Sequence, residues 1–170
     1  MERAVRTEHI HRFLEKDHKT TFQKLNQFSE ALTKLRYEGN QNFHENLRQI
    51  RALLGYFQKE AQHHMRLEER ILFPFLEKHI PKLGPVIYML LAEHEDFRSC
   101  LEELKDAFSR LKSAKAAKVG LVDRISERGT YFVCFSRSHL WIESQSLYRI
   151  ADKELRRDEK RQLIRRIKFE

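Results

Sequence analysis

Six side chains of this 170-residue chain are of the types that hold transition metals, and each stands where an apolar residue is expected. His18 falls between Leu14 and Phe22, and His64 with Glu68 between Ala61 and Ile71. His94 falls between Leu90 and Phe97, and His139 with Glu143 between Phe135 and Leu147. Burying imidazoles and carboxylates without partners is costly, so a chain that does so on four separate segments must compensate them. Neutral imidazole and carboxylate suit iron, manganese or zinc. A layer of such groups inside an apolar bundle is the expected form of a two-metal carboxylate site, in which a carboxylate from each of two helices can bridge the metals and offset their charge. A single His-x-x-x-Glu is a weak signal, since His11 and Glu15 repeat the spacing. The joint pattern carries the reading.

The elements that position these groups must bring them to one height. Counting from Gly39, His18 lies 21 residues back and His64 lies 25 forward. From the centre of the Pro81 to Pro85 turn, Glu68 is 15 back and His94 is 11 forward. From Ala117, His94 is 23 back and His139 is 22 forward. At about 1.5 Å per helical residue these mismatches amount to at most about 6 Å, one turn. All six groups can converge on one layer, and each His-x-x-x-Glu pair puts both donors on one face.

Turn signals fall at Gly39-Asn40, at Pro81-x-x-Gly84-Pro85 and over Ser113 to Gly120. Between them lie four segments with apolar residues at steps of three and four, such as Leu25, Phe28, Leu32 and Leu35 in the first and Leu101, Leu104, Phe108 and Leu111 in the third. The expectation is an all-α protein: an up-down-up-down antiparallel four-helix bundle over residues 1–152, with a short basic helical extension over residues 153–170. Pro74 should kink the second helix near its end, while Gly55 and Gly129-Thr130 are weak but tolerable positions. No internal repeat or low-complexity tract stands out.

With 5 Gly and 3 Pro the chain lacks the turn supply of a many-stranded sandwich or barrel. Cys100 and Cys134 make neither a disulfide framework nor a Cys-x-x-Cys pair, and read as small core fillers. No signal peptide or membrane span fits the charge pattern, so the expected location is the cytoplasm. Of the formal charge of +8, half belongs to the tail from Lys153 onward, which has eight Lys/Arg against four Asp/Glu.

The phrase His63-His64-Met65-Arg66-Leu67-Glu68-Glu69-Arg70-Ile71-Leu72-Phe73-Pro74 resembles the second-helix signature of the hemerythrin-like family, the HHE cation-binding domains. Asp17-His18, Glu93-His94-Glu95-Asp96-Phe97 and His139-x-x-x-Glu143 resemble its other three blocks, in order, so that the resemblance spans Glu8 to about Lys153. It implies two non-haem iron ions, bridged by oxide or hydroxide, with manganese or zinc as substitutes. It further implies that Glu68 and Glu143 bridge, with His18 and His64 on one ion and His94 and His139 on the other. Oxygen-carrying members have a fifth His where Leu90 stands, and an Asp where Ser144 stands. Four His and two Glu are similar to bacterial members of the repair-of-iron-centres type, though the cysteine-containing N-terminal domain those members usually carry is not expected here.

The resemblance implies a protein that binds or responds to O2, NO or peroxide, and any turnover would be a di-iron redox reaction of those molecules. A second reading is iron storage or donation to an iron-acceptor protein, with Glu60 and Glu93 as carboxylates that orient ligand histidines or hand metal out. A third is a metal-free helical interaction module using the basic tail. Nucleic acid and membrane partners are not expected, and the protein is read as a monomer or homodimer. His11 is placed at a capping position or the bundle mouth, His63 on a flank or behind a ligand, and His9, His44 and His79 in solvent near helix ends. Tyr148, Tyr131, Tyr88 and Trp141 are candidates for shaping electron transfer, at positions the periodicity leaves open.

Overall fold

The computed structural model describes residues 9–38, 42–113 and 118–169, and every element among them is helical. Helix α1 spans Ile10–Tyr37. A second rod contains α2 (Phe43–Tyr56), α3 (Gln62–Leu67) and α4 (Phe73–His79), joined by π-helical turns at Phe57–Ala61 and Glu68–Leu72. A 3-10 turn over Pro81–Leu83 leads into α5 (Gly84–Ser113). The fourth rod joins α6 (Lys118–Ile142) to α7 (Tyr148–Glu154) through a π turn at Glu143–Leu147, and α8 (Arg157–Lys168) follows. The Gly39-Asn40 turn lies outside the described residues. Gly120 belongs to the first turn of α6 rather than to a loop, because the helix already begins at Lys118.

Pro74 sits in the first turn of α4, directly after a π turn. A proline lacks the backbone donor that an α-helix uses four residues back. The wider turn places that missing bond where the regular ladder is already interrupted. The expected disturbance of the second rod therefore takes the form of a local change of pitch.

Side-chain pairs between rods fix their mutual register. First and fourth are tied by Ile10 N–H to Asp152 at 2.7 Å, by Asn26 to Arg137 and by Arg36 to Asp123 at 3.5 Å. First and second meet at Thr21 with Tyr56 (3.0 Å) and Glu38 with Asn46 (3.2 Å). Third and fourth meet at Glu103 with Arg128 (2.7 Å). The first and fourth rods come so close at Gly129 that a Cβ there would lie 2.4 Å from a methyl carbon of Leu32. A side chain at this position would force the buried Leu32 side chain to shift.

The apolar side chains form two clusters. One holds Phe28, Phe57 and Phe132, packed edge-to-face with ring centroids 5.2–6.0 Å apart, together with Leu25, Leu101 and Leu104. The other holds Leu14, Leu72, Leu76, Leu90 and Leu147. On every rod the polar residues of the expected site fall at or next to the boundary between the stretch that feeds one cluster and the stretch that feeds the other. The second cluster also takes in Leu163 and Ile167, so α8 docks on the body through an apolar face. Glu159 with His79 (3.1 Å) and Lys82 with Glu154 (2.5 Å) add polar ties at this end. His79, expected in solvent, is thereby drawn in, its ring stacked on Phe75 at 4.3 Å. No helix among the described residues is long and apolar enough to cross a membrane.

Candidate metal centre

Glu68 and Glu143 are wholly buried, and each begins a π turn. His18, His94 and His139 are buried as well, and the His64 side chain is 10% exposed. The structure brings all six expected side chains together. The Nε2 atoms of His18 and His64 face each other at 3.0 Å, and those of His94 and His139 at 3.2 Å. Each carboxylate presents one oxygen to each histidine pair. Glu68 sets Oε1 3.4 Å from His64 Nε2 and Oε2 3.6 Å from His94 Nε2. Glu143 sets Oε2 3.3 Å from His18 Nε2 and Oε1 3.2 Å from His139 Nε2. Ligand atoms of His18, His64, Glu68 and Glu143 lie within 4.8 Å of one another, as do those of His94, His139 and Glu143.

The opposite nitrogen of every ring is engaged. His64 Nδ1 faces Asp17 at 3.5 Å, His139 Nδ1 faces Glu93 at 2.6 Å, and His94 Nδ1 faces Glu69 at 2.7 Å. His18 Nδ1 meets the Ser144 hydroxyl at 2.8 Å. Glu69 is itself held by Arg98 at 2.5 Å. A carboxylate that accepts the Nδ1 proton leaves the Nε2 lone pair pointing inward, the tautomer a metal requires.

Two inward lone pairs 3 Å apart repel, and three buried carboxylate oxygens, Glu68 Oε2 and both of Glu143, have no hydrogen-bond donor. Orphaned buried oxygens of this kind are rare, and each needs a counter-charge. A pair of cations would satisfy all of them at once. The donor set, imidazole nitrogen and carboxylate oxygen without thiolate, fits first-row metals.

Without a metal, protons take up part of this role. Burial pushes the Glu143 carboxyl up, but the charge of His139, with His18 and His94 also close by, draws it well below the usual carboxylate range. Burial pulls His139 down, but Glu143 and Glu93 raise it to about 10. His64 is likewise held well above its ordinary value: burial opposes the proton, and Glu68 and Asp17 retain it.

Some expectations move. Glu60 is not beside His64. It is half exposed and pairs with Lys59 at 3.4 Å, because the π turn over Phe57–Ala61 shifts the helical phase between the two. Asp17 takes the place beside His64. Cys134 is exposed while Cys100 is buried, the Cys100 thiol pushed up to about 11 by desolvation. Trp141, Tyr88 and Tyr131 are exposed. His9 and His11 sit beside Asp152, which accepts the backbone N–H groups of Ile10 and His11 and so caps α1 from another helix.

Tyr148 is the residue whose place periodicity alone did not reveal. It is 1% exposed, its hydroxyl 3.1 Å from His18 Nε2 and hydrogen-bonded to Glu68. A signal for it does exist in the chain, contrary to the expectation of no internal repeat. Asp17, His18, His64, Glu68, Glu69 and Phe73 recur 75 or 76 positions later as Glu93, His94, His139, Glu143, Ser144 and Tyr148. The two halves share the same connections: Asp17 and Glu93 each face the next rod's histidine, and Glu69 and Ser144 each face the Nδ1 of another.

Fold and site together define a helical protein with a buried nitrogen-and-oxygen centre for cations. The description "Hemerythrin HHE cation binding domain" matches residues 9–128, and the chain belongs to that family. The matched segment contains His18, His64, Glu68 and His94, whereas His139, Glu143 and Tyr148 follow it. No curated protein matches the chain.

Proposed function

We propose that this is a di-iron protein that binds O2, NO or peroxide, built as an up-down-up-down four-helix bundle and of the type of the bacterial members with four His and two Glu. The topology is supported by pairs such as Ile10–Asp152 and Arg36–Asp123, along which residue numbers rise on one rod and fall on the other. The observation that carries the dinuclear reading is the split of each glutamate, one oxygen toward the His18–His64 pair and one toward the His94–His139 pair. Ferrous iron with open coordination positions supplies the capacity to bind a small diatomic molecule or peroxide. The chain's own residues fix the histidine tautomers through Asp17, Glu69 and Glu93, and Leu90, fully buried, keeps an apolar wall one turn from His94. Complete burial of Glu68, Glu143 and His94 favours retention of the ions over donation to an acceptor. A cytoplasmic setting, where thiols stay reduced and ferrous iron is available, suits both this chemistry and the free Cys134.

Metal content per chain and the optical spectrum test the reading. Two irons per chain, with a spectrum that changes on exposure to O2, NO or peroxide, is the expected result. Zinc alone, or an iron spectrum indifferent to all three, overturns it.

A further inference from the structure

The two halves of the centre differ in the aromatic residue that follows each buried glutamate. Five residues beyond Glu68 stands Phe73, and five residues beyond Glu143 stands Tyr148. An α-helix does not align positions five apart, but the π turns at Glu68–Leu72 and Glu143–Leu147 do. Phe73 stacks on His94 with ring centroids 5.6 Å apart, and Tyr148 packs on His18 at 5.2 Å. Only the second ring carries an oxygen, and that oxygen has two partners, His18 Nε2 and Glu68 Oε1. Both belong to the set gathered around the His18–His64 pair.

Donors about 2.1 Å from one ion and at right angles to one another lie about 3 Å apart. The spacings around the first pair follow this rule: 3.0 Å from His18 to His64, 3.3 Å from His18 to Glu143 and 3.4 Å from His64 to Glu68. The phenol oxygen, 3.1 Å from His18 Nε2, fits the same set of edges. We propose that Tyr148 is a metal ligand, its phenolate oxygen adding a donor to the ion held by His18 and His64 and making the two metal positions chemically unequal.

This inference rests on the dinuclear reading above. On coordination the phenol O–H bond breaks and an oxygen–metal bond forms; the proton is released to solvent and no electron is transferred. In the metal-free protein the proton stays on the phenol, donated to Glu68.

The test is ferric loading of the full chain and of Tyr148→Phe, with iron counted and resonance Raman spectra taken in the visible band. Wild-type protein should hold two irons and show a phenolate-to-iron charge-transfer band with tyrosinate ring modes. Tyr148→Phe should keep its helical circular dichroism and two irons yet lose the band and the modes entirely. Phe73→Tyr, which puts an oxygen at the equivalent position, should add a second set. A wild-type protein that holds two irons without phenolate modes, or a Tyr148→Phe protein that retains them, overturns the ligand assignment and leaves the dinuclear reading standing. Failure to take up iron at all overturns that reading instead, and this inference with it.

Discussion

Glu93 accepts from the Nδ1 of His139 at 2.6 Å, on the rod next to the one it belongs to, although in sequence it directly precedes His94. Asp17 stands in the same relation to His64, and directly precedes His18. Each acid thus serves the histidine of the neighbouring rod rather than the one beside it. Successive residues on a helix point about 100° apart, so the residue next to an inward histidine reaches the seam between rods. The carboxylates orient the rings from that seam.

Glu93→Gln should weaken metal binding about 10- to 100-fold, because the amide supports the imidazole tautomer less strongly than a carboxylate does. Asp17→Asn should act through His64 in the same way, more weakly given its 3.5 Å separation and its exposed side chain. Glu60→Gln should leave affinity unchanged, since Glu60 pairs with Lys59 away from the centre. Competition titration with a chromophoric chelator measures all three. Equal losses at Glu60 and Glu93 would remove the orienting role.

The difference between those two acids marks how far the sequence could be read. Interrupted apolar stripes identified the six inward groups, because a buried imidazole or carboxylate departs visibly from a 3.6-residue period. The helical rods followed from the same period. Glu60 lies away from His64 because the π turn over Phe57–Ala61 alters the phase between them, and no residue type announces a π turn in advance. Tyr148 escaped for the same reason: five positions from Glu143 is the wrong face of an α-helix and the right face of a π turn. The offset of 75 or 76 residues between halves is present in the chain, but six corresponding positions, three of them identical, among long unmatched stretches do not register as a repeat unless the site is already known.

Loading with metal should release protons at neutral pH. His139 is raised to about 10, and His64 also well above its ordinary value, by carboxylates that outweigh burial. A histidine raised in the folded state stabilises the metal-free protein fully below the unfolded value of about 6.5. That contribution is lost as the pH climbs toward about 10 for His139. A metal ligand must be the neutral ring, so ions compete with these protons and apparent affinity should tighten as the pH rises through this window. Loading weakly buffered protein while following a pH indicator checks the sign. Uptake without acidification, or affinity independent of pH, contradicts it.

Removing one bridging carboxylate should disturb both histidine pairs. Glu143 faces His18 through one oxygen and His139 through the other, and it is the largest influence holding the proton on His139 against burial. Glu143→Gln should therefore lower the His139 titration from about 10 in the metal-free protein and reduce uptake below two ions per chain. Proton NMR titration reads the first effect, and metal analysis the second. An unchanged His139 titration would mean that its proton is held elsewhere, by Glu93.

The last helix should act on stability rather than on recognition. Leu163 and Ile167 of α8 are buried in the same cluster as Leu72, at the end of the π turn that Glu68 begins, whereas Arg161 and Arg165 face solvent. Leu163→Ala removes buried methyl groups at a site where neighbouring rods limit collapse, a change that costs about 2–5 kcal/mol. Arg165→Ala, on the exposed side, should stay within about 0.5 kcal/mol of wild type. Urea unfolding followed by circular dichroism separates the two. Because the buried face of α8 covers the segment that carries Glu68, Leu163→Ala should also loosen metal binding while Arg165→Ala does not. If the arginine variant proved the more damaging, the cationic face rather than the apolar one would be what fastens this helix to the body.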